Sequence, residues 1–419
     1  PSGQGRWVKL PLAIHHHQRR TVAARLASDR DGQCSRAATL FLAKPLDQRT
    51  TTEPARRPQT IQCRPATRYR HVIARLVRPL QTNPSLAQLA HQAMTNLLTE
   101  PRTSPTGPAF ATLCLNPVTL PAPDRGQPLD LRIAAPLTPS SNNRDLPILL
   151  LSHGHGPSLY IPSKDGYAPL ANFYAAHGFV VIQPTHGNSK VAGLPADAPG
   201  APFFWRSRVL DMKLILDQLD AIEDQFPAIA GRLDRSKIAA IGHSLGGQTV
   251  GMLLGARLTD INDPDAQNVD LIEPRITAGV LLAAPGKGGG SLSDFARANY
   301  TSLNPDFSHL TTRTLVVAGD ADDNPHLTTR GPAWHTDPFH LSPGADALLT
   351  LIGGKHGLGG IAGYDAKETD DEDPDRLAIT QRMTLAYLKS ALDPADTSWA
   401  DAAQALADHA AHHAHATLK

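Results

Sequence analysis

The segment Lys237-Ile-Ala-Ala-Ile-Gly-His-Ser-Leu-Gly-Gly247 constrains the fold more than any other stretch of the chain. Four apolar residues, Ile238 to Ile241, read as a buried strand, and Gln248 to Leu258 reads as the helix that follows. Between them lies Gly242-His-Ser-Leu-Gly246, a turn with Ser244 at its apex. Glycine is needed on both flanks, because a Cβ there would strike the neighbouring strand or helix. A strained turn of this kind lifts the Ser244 hydroxyl clear of the sheet edge. The amide of Leu245 then points at the same spot from the helix N-terminus, where developing negative charge is favoured.

The rest of the pattern supplies the sheet. Leu129–Ala134 alternates and predicts an antiparallel edge strand. Leu146–Leu151, Phe179–Gln183, Thr277–Ala283, Thr314–Ala318 and Ala347–Ile352 read as further strands. Between them, Leu170–His177, Trp205–Ile222, Thr249–Leu258 and Arg376–Leu392 read as helices. The second carries an apolar stripe at Val209, Met212, Ile215, Leu216 and Leu219. Strands alternating with helices predict a doubly wound, mostly parallel sheet flanked by helices.

Charge divides the chain. Residues 1–93 hold 16 Lys/Arg against 4 Asp/Glu, and the remainder 24 against 35. Residues 1–105 show no sustained periodicity, apart from short helical stretches at Thr21–Ala27 and Ser85–Leu98, and are expected to form a disordered basic extension. The first methionine is Met94, a plausible natural start, so residues 1–93 read as an upstream extension. The rival reading is a basic arm for nucleic acid or an anionic surface. Only Trp7, Phe41 and Tyr69 interleave its charges, which argues against it. Residues 106–395 are the expected catalytic domain, and residues 396–419 an Ala/His-rich tail with some helical character. Cys34, Cys63 and Cys114 leave that domain without an internal disulfide, which favours a reducing, cytoplasmic setting. No signal peptide is visible, and no apolar run reaches the ~18 residues of a membrane span.

A serine hydroxyl needs a base within hydrogen-bond reach, and the base needs an acid to fix its tautomer. Downstream of Ser244, Leu315-Val-Val-Ala-Gly-Asp-Ala-Asp-Asp323 is a strand running into an acidic turn. Leu349-Thr-Leu-Ile-Gly-Gly-Lys-His-Gly357 is a strand running into a glycine-flanked histidine. Strand ends are where open α/β sheets place their sites. His356 is the expected base. Asp322 is the preferred acid, with Asp320 second and Asp323 a solvated or capping residue. A second oxyanion donor is expected from Ser152-His-Gly-His-Gly156, favouring the amide of His155. His153 and His155 also admit a metal reading, a weak one without a nearby Cys or carboxylate. His409, His412, His413 and His415 read as part of the solvated tail. Phe203, Phe204, Trp205 and Trp334 suit either a pocket wall or plain packing.

Taken together, His153-Gly154, Gly242-His-Ser-Leu-Gly-Gly247, the Gly319–Asp322 turn and His356 resemble the α/β-hydrolase superfamily across roughly residues 110–392. Ala175-Ala-His-Gly-Phe-Val-Val-Ile-Gln-Pro-Thr-His-Gly-Asn188 and Gly231-Arg-Leu-Asp-Arg-Ser-Lys-Ile238 are similar to the branch of chlorophyllases, bacterial platelet-activating-factor acetylhydrolases, dienelactone-hydrolase-like esterases and polyester hydrolases. That resemblance implies carboxylic ester hydrolysis through an acyl-enzyme, without a cofactor or metal. Acetylhydrolases of the branch can carry the acid after the preceding strand. Here Ala283-Ala-Pro-Gly-Lys-Gly-Gly-Gly290 holds no carboxylate, so the later turn is preferred. The expected activity is a serine esterase on small-molecule or lipid-like esters. The rivals are a lipase, lactonase, polyester hydrolase or peptidase on the same fold, and a catalytically silent binding protein.

Overall fold

The computed structural model describes residues 109–137, 145–195, 197–363 and 371–419, and the backbone of residues 22–26 and 38–42. The chain divides after Met94 into two units. In the first, strand β1 (Val22–Leu26) pairs antiparallel with β2 (Ala38–Leu42). Thr21–Ala27, expected to be helical, is therefore largely strand. So short a run gains little from helix nucleation, and a cross-strand ladder satisfies its backbone instead. Residues 85–98 lie outside the described residues.

In the second unit nine strands build one sheet. They are β3 (Thr112–Leu120), β4 (Leu129–Pro136), β5 (Leu146–Ser152), β6 (Val180–Pro184), β7 (Leu233–His243), β9 (Ala278–Leu282), β11 (Arg313–Gly319), β12 (Ala345–Leu351) and β13 (Ala414–Leu418). A separate ribbon joins β8 (Arg257–Leu258) to β10 (Pro305–Asp306). The sheet order is β13-β12-β11-β9-β7-β5-β6-β4-β3. Every pairing from β6 across to β12 is parallel, and the two flanks are antiparallel. The expected doubly wound, mostly parallel sheet is what forms.

Alternation along the strands sorts the core into two layers. Ile148, Leu150, Val180, Ile182, Ile238 and Ala240 face helices α2 (Trp205–Asp217), α3 (Leu219–Gln225) and α4 (Leu245–Leu253). Leu149, Leu151, Val181, Ile241, Val280 and Val317 face the opposite layer. That layer holds α1 (Ala168–Ala176), α7 (Pro374–Leu392) and α8 (Ser398–His409). Short helices α5 (Asp294–Asn299) and α6 (Asp337–Leu341) lie in the connections.

Four expectations are corrected. Leu129–Ala134 is not the edge strand, because β3 pairs outside it. The long helix breaks at Gln218, whose φ of −115° departs from helical values. The helix after Ser244 starts at Leu245 and stops before Gly255, where φ of +115° ends it, and Arg257–Leu258 is strand. The segment expected as a solvated tail buries Trp399, Ala402 and Leu406 and adds β13 to the sheet. Its histidines His409, His412 and His415 do stay exposed.

Candidate active site

Five adjacent strands end at one edge of the sheet. Ser152 of β5 sits beside Gly242 of β7, His243 beside Leu282 of β9, and Gly319 of β11 beside Leu351 of β12. Each chain segment singled out in the sequence leaves the sheet here. Every residue from Ile238 to Ala256 is buried except Ser244. Ser244 has φ of 55° and ψ of −122°, a strained conformation for a residue with a side chain. Its flanking glycines are sterically required. A Cβ on Gly242 would lie 2.1 Å from the Gly246 carbonyl oxygen, and one on Gly246 would lie 2.1 Å from that of Ser152.

Of the three carboxyls after β11, Asp322 is buried while Asp320 and Asp323 are exposed. Asp322 Oδ2 lies 2.9 Å from His356 Nδ1. A carboxylate only accepts, so Nδ1 carries the proton and Nε2 keeps its lone pair. Burial alone would raise the Asp322 pKa, but the charge and bond of His356, helped by His335, hold it below the ordinary carboxylate value. His335, buried, places Nε2 at 3.2 Å from the same oxygen, and its Nδ1 lies 2.9 Å from the Ala284 carbonyl. Asp320 serves the loops instead. Its Oδ1 accepts the Gly353 amide at 2.6 Å, tying the acidic turn to the loop that carries His356.

The elbow, the His356 loop and the glycine-rich loop after β5 are joined by two groups that sequence reasoning did not single out. His243 Nε2 lies 2.8 Å from the His356 carbonyl, which can only accept, so Nε2 carries the proton. Nδ1 then accepts from the Tyr167 hydroxyl at 2.8 Å, and that hydroxyl accepts the Gly154 amide at 3.1 Å. Burial, then the neighbouring His356, pushes His243 down to about 3, so it stays neutral and the bridge keeps its direction. Tyr167→Phe would orphan two buried groups, at about 1–3 kcal/mol each. Denaturant unfolding is expected to show a loss at least that large. An unchanged unfolding free energy would mean the bridge contributes nothing.

His155 lies at the rim, its side chain exposed, with Nδ1 3.3 Å from Asn188 Nδ2 and its ring edge-on to Phe203 at 5.2 Å. Leu245 opens α4, so its amide has no acceptor within the helix. Both nitrogens of His153 are engaged: Nδ1 donates to the Gly154 carbonyl at 2.7 Å, and Nε2 accepts the His186 amide at 3.0 Å. Phe203 and Trp334 pack with Leu245, Leu292 and Leu303, while Trp205 belongs to the core beneath the sheet.

The alpha/beta hydrolase family matches residues 148–417, from β5 through β13. The chain belongs to the alpha/beta hydrolase family. No curated protein matches it.

This family member also contains a buried Ser/His/Asp arrangement. Ser152 Oγ lies 3.0 Å from His186 Nε2, and His186 Nδ1 lies 2.8 Å from Asp211 Oδ2. Ser152 and His186 have no exposed surface and Asp211 only 3 %. Solvent access separates it from the elbow: Ser244 is partly exposed and Ser152 is not. The buried arrangement leaves traces in the sequence. Arg208 and Asp211 interrupt the apolar stripe of α2 between Trp205, Val209 and Met212, where a charge is costly unless it has partners. His186 and Asn188 stand just past the end of β6.

Proposed function

We propose that this alpha/beta hydrolase is a serine carboxylic ester hydrolase. Ser244 is the nucleophile, His356 the base and then the acid, and Asp322 the orienting carboxylate. The observation that carries this reading is the His356–Asp322 bond beside a strained, partly exposed serine. His356 Nε2 takes the Ser244 proton as Oγ bonds to the ester carbonyl carbon. The amides of Leu245 and His155 receive the charge on the carbonyl oxygen. The C–O bond to the alcohol then breaks as Nε2 returns the proton to it. Water repeats both steps on the acyl-enzyme and releases the acid. No step requires a cofactor or a metal.

The apolar group Phe203, Leu245, Leu292, Leu303 and Trp334 beside the elbow favours an ester with a hydrocarbon acyl or alcohol part. It also supports the esterase and polyester hydrolase branch named above over a peptidase. No helix among the described residues is long and apolar enough to cross a membrane.

A fluorophosphonate is expected to label the protein at one site, and peptide mapping to place the label on Ser244. A series of p-nitrophenyl esters of increasing chain length would then rank the acyl groups. Label on Ser152 would transfer the reading to the buried arrangement. An unlabelled, hydrolytically inert protein would favour the silent binding protein.

A further inference from the structure

Arg208 rises from α2 into the layer beneath the glycine-rich loop and has no exposed surface. All three of its nitrogens are used. Nε donates to Thr249 Oγ1 at 2.8 Å, Nη2 to Ser152 Oγ at 3.1 Å and to the His153 carbonyl, and Nη1 to Asn188 Oδ1. These partners lead to both expected oxyanion donors. Thr249 Oγ1 in turn donates to the Leu245 carbonyl at 3.0 Å. Asn188 Nδ2 reaches the Gly154 carbonyl at 3.4 Å and His155 Nδ1 at 3.3 Å. One rigid, planar fork therefore spans the two segments that carry the expected oxyanion amides.

The charge balance is equally specific. Arg208 makes no ion pair among the described residues. The acid one turn along its helix, Asp211, is already held by Arg125 Nε at 2.9 Å and His186 Nδ1 at 2.8 Å. Burial drags Arg208 down to about 9 against the pull of Asp211, and lifts Asp211 to about 7 against Arg125 and Arg208. In the neutral range two guanidinium charges thus face no more than one carboxylate. The excess positive charge lies where water does not screen it. A fold tolerates such a charge at a cost, and the cost is recovered if negative charge develops nearby during turnover.

We propose that Arg208 is a positioning residue for the reaction: it sets the spacing of the Leu245 and His155 amides and biases their site toward an anionic oxygen. The inference rests on the elbow reading above. It is tested with Arg208→Gln and Arg208→Lys. The readouts are kcat and KM on p-nitrophenyl butyrate, Tm, and the Ki of a trifluoromethyl ketone that forms a tetrahedral anionic adduct. Arg208→Gln is expected to lower kcat by about 10²-fold, as loss of an oxyanion donor does, with KM within about 3-fold and Ki raised in step. Arg208→Lys keeps the charge and loses the fork, and should recover about tenfold of that loss. Equal kcat in the two variants, or an unchanged Ki beside a fallen kcat, would overturn the proposal. If Arg208→Gln does not fold, Thr249→Val decides. It removes only the Nε acceptor and its link to Leu245, so kcat and Ki must still move together, and no change in either overturns the proposal. Ser244→Ala, run alongside, separates the two failures: hydrolysis that survives it sinks the elbow reading itself.

Discussion

Asp322→Asn is expected to lower kcat by about 10³–10⁴-fold while leaving KM on a small ester within a few fold. The amide keeps the volume of the carboxyl but removes its charge. Asp322 Oδ2 now faces His356 Nδ1 at 2.9 Å, so an amide NH2 in its place would present a donor to a donor. The imidazole would shift its proton to Nε2, and the lone pair that should receive the Ser244 proton would be lost. The imidazolium formed during turnover would also lose its counter-charge. Asp320→Asn and Asp323→Asn should cost no more than a few fold. The Asp320 amide oxygen can still accept from Gly353, and Asp323 is exposed. Comparable losses at all three positions would show that the turn matters only as structure. A greater loss at Asp320 would move the orienting role there.

The elbow was legible because its geometry is local. Two glycines with no room for a Cβ, a serine between them and apolar residues on both sides constrain one another within eleven residues. The pairing of His356 with Asp322 was legible for a related reason, since each follows a strand that ends at the same edge. What stayed hidden depends on distant partners. β13 reads Ala-His-Ala-Thr-Leu and shows little strand patterning, yet β12 offers it an unpaired edge. Tyr167 looks like a core aromatic until its hydroxyl is seen between Gly154 and His243, residues far from it in sequence. His243 is a variable position of the turn motif, so nothing local marks it. Arg208 and Asp211 were visible as charges on an apolar stripe. Their partners appear only once α2 packs beneath the loop after β5.

The same buried network makes stability depend on pH. His243 is pushed down to about 3, and His153 and His186 lie well below the ordinary histidine value, in each case chiefly through burial. The folded protein therefore refuses protons on these three rings. The unfolded chain accepts them below about pH 6.5. Fewer protons bound in the folded state means that stability falls as pH falls, starting near the unfolded value. Asp211 works in the opposite direction. Burial raises it to about 7, so between there and the ordinary carboxylate value the folded state holds a proton that the unfolded state gives up. Three rings that refuse protons outweigh one carboxyl that keeps one, so the balance of these four groups is a stability that falls as pH falls below the ordinary histidine value. Guanidinium unfolding followed by near-ultraviolet circular dichroism between pH 7.0 and 5.0 should show the midpoint moving steadily down. Because Asp211 opposes the histidines, Asp211→Asn should steepen the slope. A midpoint that stays flat to pH 5 would mean that the unfolded chain gains no proton the folded one refuses, and that the three rings are not held neutral as their surroundings require.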